Sequence, residues 1–96
     1  MNANITSTTR KEIYRRDGYR CVLCDNGRYL QIHHYQPRGR GGADHPMNLV
    51  TLCSVCHAQI HGSVPLPDGY DRASMRESIC EYLADYYAPD WYPWDG

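Results

Sequence analysis

The alternation of hydrophobic and polar positions divides the first half of the chain into three short elements. Thr9-x-x-Glu12 has the pattern of a capping box and predicts a helix over residues 9–16. Apolar and polar residues alternate over 29–33, which predicts a strand, and we expect a second short strand over Asn48-Leu49-Val50-Thr51-Leu52. The stretch between the two strands is rich in glycine and proline and therefore predicts a loop.

The second half of the chain has a helical pattern on both sides of a linker. Residues 54–61 predict a helix that Gly62 ends, and residues 63–70 predict the linker. Ser74-x-x-Glu77 predicts the start of a further helix. The hydrophobic residues of this helix recur at helical spacing and indicate a packed face: Met75, Ile79, Tyr82, Leu83 and Tyr86. The aromatic, proline-rich tail that follows either docks on the domain or binds a partner.

The length of the chain indicates one small domain with a thin core. With 96 residues, it buries only about 60–70% of its unfolded surface, and such domains usually need a metal, disulfides or a partner. We divide it into residues 1–62, which carry the candidate chemistry, and residues 63–96, which we expect to pack on the same domain. No apolar run reaches the roughly 20 residues of a membrane span, and the N-terminus has no secretion signal. We therefore expect a cytoplasmic protein, of a cell or of an infected host.

The formal net charge of −1 conceals an asymmetry between these two parts. Residues 1–62 contain eight basic and four acidic side chains, whereas residues 63–96 contain two basic and seven acidic ones. Nine of the ten cations are arginine, whose planar guanidinium suits bidentate contacts to phosphate. A basic first part is what a nucleic-acid-binding surface requires, although an excess of this size also occurs on ordinary solvated surfaces.

Four of the five cysteines form two C-x-x-C pairs, Cys21 with Cys24 and Cys53 with Cys56, and 28 residues separate the pairs. Two such pairs can complete a tetrahedron of thiolates around one zinc ion. Disulfides are disfavoured because a chain without a secretion signal is expected in a reducing compartment. We therefore predict a structural Zn²⁺ site formed by these four residues. The fifth, Cys80, is interpreted as a small buried apolar side chain.

Four of the five histidines fall into two pairs. His57 and His61 lie four residues apart, hence on one face of the predicted helix, where they form a bidentate metal clamp. His33 and His34 end the first predicted strand. One alternative is a two-cysteine, two-histidine zinc site that joins the first cysteine pair to His57 and His61. Another is that His33 and His34 are ordinary surface residues.

Together these motifs resemble the HNH endonuclease family, whose active site lies on a ββα-metal finger. The resemblance covers about Tyr14 to His61 and rests on RDGYRCVLC, LQIHHYQPRGRGG, AD-x-x-x-NL and LCSVCH-x-x-x-H. It implies an α+β fold, a small zinc-stabilised ββα-metal (HNH) domain, here with flanking N- and C-terminal helices. It also implies DNA as the partner and a divalent-metal-dependent endonuclease that hydrolyses phosphodiester bonds, with a nick or a double-strand break as the product.

The resemblance implies a role for each residue of the motif. His34 matches the general base, and Asn48 matches the residue that braces the loop and helps to orient that base. His57 and His61 match the ligands of the catalytic divalent ion, together with His33, which stands where many members have aspartate. The four paired cysteines match the zinc site of a large subset of the family. The candidate ions are Mg²⁺, Mn²⁺, Ni²⁺, Co²⁺ and Zn²⁺; three imidazoles favour the last three by affinity, whereas Mg²⁺ prefers oxygen ligands.

The chemistry of phosphodiester hydrolysis agrees with these residue types. A neutral imidazole can accept the proton of an attacking water at physiological pH. Arginines supply positive charge for the phosphate, two on the loop and three near the first cysteine pair: Arg38, Arg40, Arg15, Arg16 and Arg20. His33 and His34 would point to opposite faces of a regular strand, yet both must reach one phosphate. Either the strand ends at His33, or the phosphate lies across the edge of the strand.

Two other functions fit parts of the sequence. The chain can be a zinc-stabilised nucleic-acid-binding module without catalysis, in which case His34 is dispensable. It can also be a protein-interaction adaptor that works through the acidic tail with its tyrosines and tryptophans. Because the motif fills half of the chain, we expect low sequence specificity or a protein partner that supplies specificity.

Overall fold

The computed structural model describes residues 5–95 and has an α+β architecture, which confirms the predicted fold class. Its elements in chain order are α1 (Ser7–Arg16), β1 (Leu30–His34), β2 (Leu49–Cys53), α2 (Ser54–Ile60) and α3 (Arg72–Tyr87). Two short 3₁₀ turns, Arg38–Arg40 and Pro46–Asn48, lie in the loop between the strands. None of the helices in the described part of the chain has the length and apolar character that a membrane crossing demands.

The two long helices begin earlier than their predicted capping boxes. The N-cap of α1 is Thr6, whose hydroxyl accepts a hydrogen bond from the backbone N–H of Thr9 at 3.1 Å. The N-cap of α3 is Asp71, whose carboxylate accepts from the backbone N–H of Ser74 at 2.7 Å. The predictions that Thr9 and Ser74 are N-caps were therefore wrong by one turn. Each predicted cap is instead the third helical residue, because another capping side chain lies three positions before it.

The two strands form an antiparallel hairpin in which His34 pairs with Leu49 and Leu30 pairs with Cys53. Both strands are displaced by one residue from their predicted ranges. Every residue of β2 is buried, since α1 contacts this strand as well as α2. The loop at the end of the hairpin and the helix that follows β2 therefore start from fixed positions.

The hydrophobic core lies between the hairpin, α2 and α3, and it includes three of the paired cysteines. Its buried members are Cys21, Val50, Leu52, Cys53, Cys56, Ile60, Ile79 and Leu83. From the predicted packed face of α3, Ile79 and Leu83 are buried, whereas Tyr86 is 56% exposed. Cys80 is only half-buried, so its interpretation as a buried apolar side chain was wrong.

A buried ion pair joins α1 to the hairpin and to α3. The Arg16 guanidinium donates to both carboxylate oxygens of Asp17, at 2.7 and 3.0 Å, and to the carbonyl oxygens of Pro46 and Leu49. Asp17 also accepts from the Tyr82 hydroxyl at 2.6 Å and from the backbone N–H of Thr51 at 2.8 Å. Burial alone would lower the pKa of Arg16, but the hydrogen bonds and charge of Asp17 outweigh it and raise this pKa. Burial and the same carboxylate raise the pKa of Tyr82.

The segment after α3 returns to the loop between the strands. The indole N–H of Trp91 donates to the carbonyl oxygen of Met47 at 2.7 Å, and the Trp91 ring lies 5.8 Å from that of Tyr35. The backbone N–H of Ala43 donates to the carbonyl oxygen of Pro93 at 3.0 Å. The tail therefore docks on the loop. The division of the chain at residue 62 stays a prediction.

Arg16→Met tests the buried ion pair. We expect it to lower the free energy of unfolding by about 3–5 kcal/mol, because it leaves the Asp17 carboxylate buried without its cation. The measurement is urea unfolding followed by circular dichroism. Arg15→Met is the matched control, since this neighbouring side chain is exposed, and it should change the free energy by no more than about 0.5 kcal/mol. Equal effects of the two substitutions would contradict the role assigned to the pair.

Candidate metal centres and active site

The four paired cysteines converge on one point. Their sulfur atoms all lie within 4.8 Å of one another, and the Sγ atoms of Cys24 and Cys53 are 3.6 Å apart. This separation is far too long for a disulfide. It is close to the separation of about 3.8 Å that two ligands of a tetrahedral zinc–thiolate site have, given Zn–S bonds of about 2.3 Å. The four residues can therefore hold a metal ion, as the sequence predicts for a structural zinc.

The local backbone prepares these sulfurs to act as thiolates. In each C-x-x-C turn a backbone N–H points at the first sulfur: Leu23 N–H at Cys21 Sγ and Cys56 N–H at Cys53 Sγ, both at 3.4 Å. Such donors favour the charged form of a sulfur. Burial, followed by the neighbouring charge of Cys21, raises the pKa of Cys56. A cation would allow all four thiols to ionise together, as Zn²⁺ does in tetrathiolate sites.

Three histidines form a second, separate cluster. Ring nitrogens of His33, His57 and His61 all lie within 4.8 Å of one another, and the Nε2 atoms of His57 and His61 are 3.0 Å apart. His33 comes from β1, and the other two come from α2 and its C-terminal cap. Because this cluster shares no residue with the cysteine cluster, the alternative site of two cysteines and two histidines is not formed in the described part of the chain.

His33 is the buried member of this cluster. It is 5% exposed, and neither of its ring nitrogens has a hydrogen-bond partner within residues 5–95. Burial, followed by the charges of His57 and His61, lowers the pKa of His33 from 6.5 to about 3. The ring is therefore neutral at physiological pH. A buried neutral imidazole with unsatisfied nitrogens fits a metal ligand, because an ion would replace the missing hydrogen bond.

His57 is oriented by a residue that the sequence did not single out. Its Nδ1 forms a hydrogen bond with the side-chain oxygen Oε1 of Gln31, which lies on β1. Since an amide oxygen can only accept, Nδ1 carries the proton and Nε2 keeps a lone pair toward His61. A metal-ligating histidine is usually held in this way through its other ring nitrogen. Burial, followed by the charge of His61, also lowers the pKa of His57 and favours the neutral ring.

His34 is held by a carboxylate on the loop. Its Nε2 lies 2.7 Å from Oδ1 of Asp44, and the same oxygen accepts from Nε of Arg38 at 2.7 Å. Burial would raise the pKa of Asp44, but hydrogen bonds from Arg38 and His34 outweigh burial and lower it. Asp44 is thus an ionised acceptor at neutral pH. The proton of a neutral His34 ring therefore resides on Nε2, and Nδ1 keeps the lone pair.

Asn48 braces the loop from within. It is fully buried, and its side chain accepts from the N–H of Gln36 at 2.7 Å and donates to the carbonyl oxygens of Gln36 and Ala43, both at 2.9 Å. Gly42 permits this close packing, since a Cβ there would collide with the Gln36 carbonyl group. Asn48 therefore shapes the segment that carries Asp44, because these side-chain hydrogen bonds of Asn48 go to the loop backbone.

One cavity of about 550 Å³, which we call the histidine cavity, is lined by His34 and by all three histidines of the cluster. Its walls are formed by Ile32, His33, His34, Pro37, Arg38, His57, Ile60, His61 and Arg76. β1 ends at His34, and both His33 and His34 border this one space, so adjacent strand residues can face a common ligand. Arg76 approaches from α3; its guanidinium donates to the carbonyl oxygen of Tyr35 at 2.9 Å and lies 4.8 Å from the centre of the Tyr35 ring.

A protein-family model described as HNH endonuclease matches residues 20–63. Residues 20–63 are therefore a domain of the HNH endonuclease family. The chain is 46% identical over 41 residues to the type IV methyl-directed restriction enzyme EcoKMcrA of Escherichia coli strain K12; these residues are 43% of this chain and 15% of that enzyme. It is also 30% identical over 53 residues to anaredoxin of Nostoc sp. strain PCC 7120, which is 54% of this chain and 70% of that protein. The chain thus spans a small part of the first relative and about two thirds of the second.

The HNH match contains both metal clusters, together with His34, Asp44 and Asn48. Arg16 and Arg76 lie outside it. Sequence reasoning missed Gln31, Asp44 and Arg76 as site residues. The Asp of the AD-x-x-x-NL motif was a signal for Asp44, whereas no local pattern marks the other two.

The five arginines predicted to contact nucleic acid divide into three groups. Arg16 was a wrong prediction, because its side chain is only 4% exposed and is occupied by Asp17 and backbone carbonyl groups. Of the five, Arg38 lines the histidine cavity, to which α3 adds Arg76, an arginine that was not predicted. Arg15, Arg20 and Arg40 are exposed outside this cavity, and their contact with nucleic acid stays a prediction.

Cys24→Ser tests the zinc site of this HNH domain. A structural zinc contributes on the order of 10 kcal/mol to folding, so we expect the variant to lose bound zinc and its cooperative thermal transition. Zinc per chain is measured by elemental analysis and unfolding by circular dichroism. Cys80→Ser is the matched control, because Cys80 lies on α3 outside the cluster, and it should keep both properties. Zinc retained at full stoichiometry in Cys24→Ser would contradict the assignment.

The lowered pKa of His33 predicts a pH-dependent stability. Between pH 6.5 and about 3, His33 is protonated in the unfolded chain but stays neutral in the folded protein. The free energy of unfolding therefore decreases as the pH falls through this window. From pH 7 to pH 5 the loss due to this group should be about 1–2 kcal/mol. We would measure urea unfolding of wild type and His33→Gln, each with one zinc per chain, because the difference cancels the acid sensitivity of the thiolates. Parallel pH curves for the two proteins would contradict the prediction.

Proposed function

We propose that this HNH domain is a divalent-metal-dependent DNA endonuclease that hydrolyses phosphodiester bonds with His34 as the general base. The observation that carries the proposal is the histidine cavity, which has a three-imidazole cluster, a carboxylate-held histidine and two arginines around one space. The relationship to a restriction enzyme supports a nucleic-acid substrate. Both parts are needed, because the three-histidine cluster would hold the metal ion and His34 would act as the base.

The cluster of His33, His57 and His61 would hold the divalent ion. The fit rests on the unsatisfied nitrogens of His33 and on the Nδ1 hydrogen bond that turns Nε2 of His57 toward the cluster. A divalent ion bound there would supply Lewis-acid stabilisation of the charge that develops on the phosphate and the leaving oxygen. Nitrogen donors favour Ni²⁺, Co²⁺ or Zn²⁺ by affinity, and Mg²⁺ or Mn²⁺ would bind more weakly.

His34 would take the proton of the attacking water through Nδ1. Asp44 holds the proton of the neutral ring on Nε2 and would stabilise the imidazolium once the second proton arrives. Asp44 is thus a positioning residue, and Asn48 positions the loop on which it lies. Arg38 takes part in the same network through Asp44, and it also lines the histidine cavity, where it would contact the phosphate.

Positive charge at the cavity would hold the phosphate. Arg38 comes from the loop and Arg76 from α3, and both line the histidine cavity. Guanidinium groups bind phosphate oxygens through charge-assisted hydrogen bonds. Because residues 1–62 carry the basic excess, DNA would approach from this part of the chain, and a protein partner could supply sequence specificity.

His34→Ala tests the base. Supercoiled plasmid is incubated with protein and Mg²⁺, Mn²⁺, Ni²⁺ or Co²⁺, with an EDTA control, and nicked and linear products are separated on agarose. We expect the rate to fall by about 10²–10⁴-fold, because no other group takes the proton at this position. Zinc content and thermal unfolding must equal those of wild type. Full nicking by this variant would remove His34 from the mechanism, and plasmid binding by wild type without nicking under any ion would favour a non-catalytic binding module.

Asp44→Asn separates positioning from base chemistry in the same assay. The amide is nearly isosteric but cannot serve as an ionised acceptor, so we expect a loss of about 10- to 100-fold with the base still present. Zinc content, thermal unfolding and plasmid binding should equal those of wild type, and a loss of any of these would indicate a merely structural role for Asp44.

A further inference from the structure

A second cavity adjoins the histidine cavity at Arg38, and residues of the loop form part of its wall. It has a volume of about 780 Å³, and we call it the aromatic cavity. Its polar and aromatic walls include Arg38, Asp44, Asp90, Tyr92, Trp94 and Asp95. Arg38 lines both cavities, and its hydrogen bond to Asp44 links a residue of the first cavity to a residue of the second. A ligand that fills both cavities would therefore pass Arg38.

The tail that builds this cavity is fixed by backbone pairing with the loop. The N–H of Asp95 donates to the carbonyl oxygen of Gly41 at 2.7 Å, and the N–H of Ala43 donates to that of Pro93 at 3.0 Å. Trp94 pairs with Gly42 in an isolated β-bridge. The Trp94 ring packs against Gly41 and is 40% exposed. A large aromatic ring is thus held at a set position with much of its surface open to solvent.

The walls of the aromatic cavity select against a phosphate and for a base. Asp90 and Asp95 are carboxylates that repel a phosphate, and Arg38 already donates to Asp44. Indole and phenol rings stack on nucleobases with little regard to base identity. Carboxylates accept hydrogen bonds from exocyclic amino groups, which adenine, cytosine and guanine have and thymine lacks.

We propose that the aromatic cavity binds one unpaired nucleobase, stacked on Trp94, from a nucleotide next to the phosphate in the histidine cavity. The inference rests on the proposed function for the position of that phosphate. A base can enter only after it leaves the helical stack, and the cost of unstacking is least where the base is already unpaired. The protein should therefore prefer single-stranded or bulged DNA, and amino-bearing bases over thymine.

The test is binding of fluorescently labelled oligonucleotides in the His34→Ala background, without added divalent ions, so that cleavage does not interfere. Three duplexes differ at one position: a bulged adenine, a bulged thymine and a bulged abasic nucleotide. We expect the bulged adenine to bind most tightly and the abasic duplex most weakly, by about ten-fold, which is the effect of one base–aromatic stack. Anisotropy titrations give the Kd values.

Variants of the ring complete the experiment. In the same background, Trp94→Leu should raise the Kd for the bulged adenine about ten-fold and abolish the difference from the abasic duplex, whereas Trp94→Phe should keep most of it. Tyr70→Leu is the matched control, because Tyr70 is 68% exposed in the linker and does not line this cavity. Zinc content reports folding of every variant. An unchanged Kd in Trp94→Leu, or equal binding of the adenine and abasic duplexes, overturns the proposal.

Failure of the base site and failure of the endonuclease proposal give different results in these experiments. A wild-type protein that binds the bulged adenine through Trp94 but cuts no plasmid would contradict the proposed reaction and leave the base site intact. A protein that nicks plasmid in a His34-dependent way, yet binds all three duplexes equally, would overturn the base site alone.

Discussion

The convergence of four sulfur atoms in the core is the constraint on which the rest of the structure depends. Cys53 ends β2 and caps α2, and Cys56 lies in the first turn of that helix, so the metal would set the angle between strand and helix. The same helix carries His57 and His61 toward His33. A chain with so little hydrophobic interior would gain from a metal at the sulfur site both stability and the direction of its imidazoles. The short helix α2, with its capping residues, therefore carries members of both the cysteine cluster and the histidine cluster.

The loop between the strands joins the histidines to the C-terminal tail. Asn48 holds its two ends together, and Asp44 uses one oxygen for both His34 and Arg38. On its outer side the loop pairs with the backbone of the tail. Because one segment borders both cavities, a change in its conformation would reach the histidine and the tryptophan together. The C-terminal tail lies outside the HNH match, but because it pairs with this loop it is a structural part of the candidate site.

The sequence could predict what depends on spacing along the chain and could not predict what depends on folding. The spacing of the two cysteine pairs and of the i, i+4 histidine pair indicates metal ligands directly, and in the structure the cysteine cluster and the histidine cluster both form. The helices α1 and α3 begin before their predicted starts, because Thr6 and Asp71 cap a helix as well as the predicted Thr9 and Ser74 do. Arg16 looks like any surface cation in sequence, and its burial arises only when α1, the hairpin and α3 come together. Arg76 belongs to the cavity for the same reason, since a helix distant in sequence delivers it.

The hydrogen bonds of Asp17 have a consequence for how this family segment can be moved between proteins. The matched residues 20–63 include Thr51, whose backbone N–H donates to Asp17, but neither that carboxylate nor the Tyr82 hydroxyl that also donates to it. Excised at its sequence boundaries, the finger would lose the acceptor of the Thr51 N–H and would expose β2, which α1 helps to bury in the full chain. The smallest transplantable unit of this chain is consequently larger than its motif: it extends from α1 through α3, and a chimaera would have to inherit both helices.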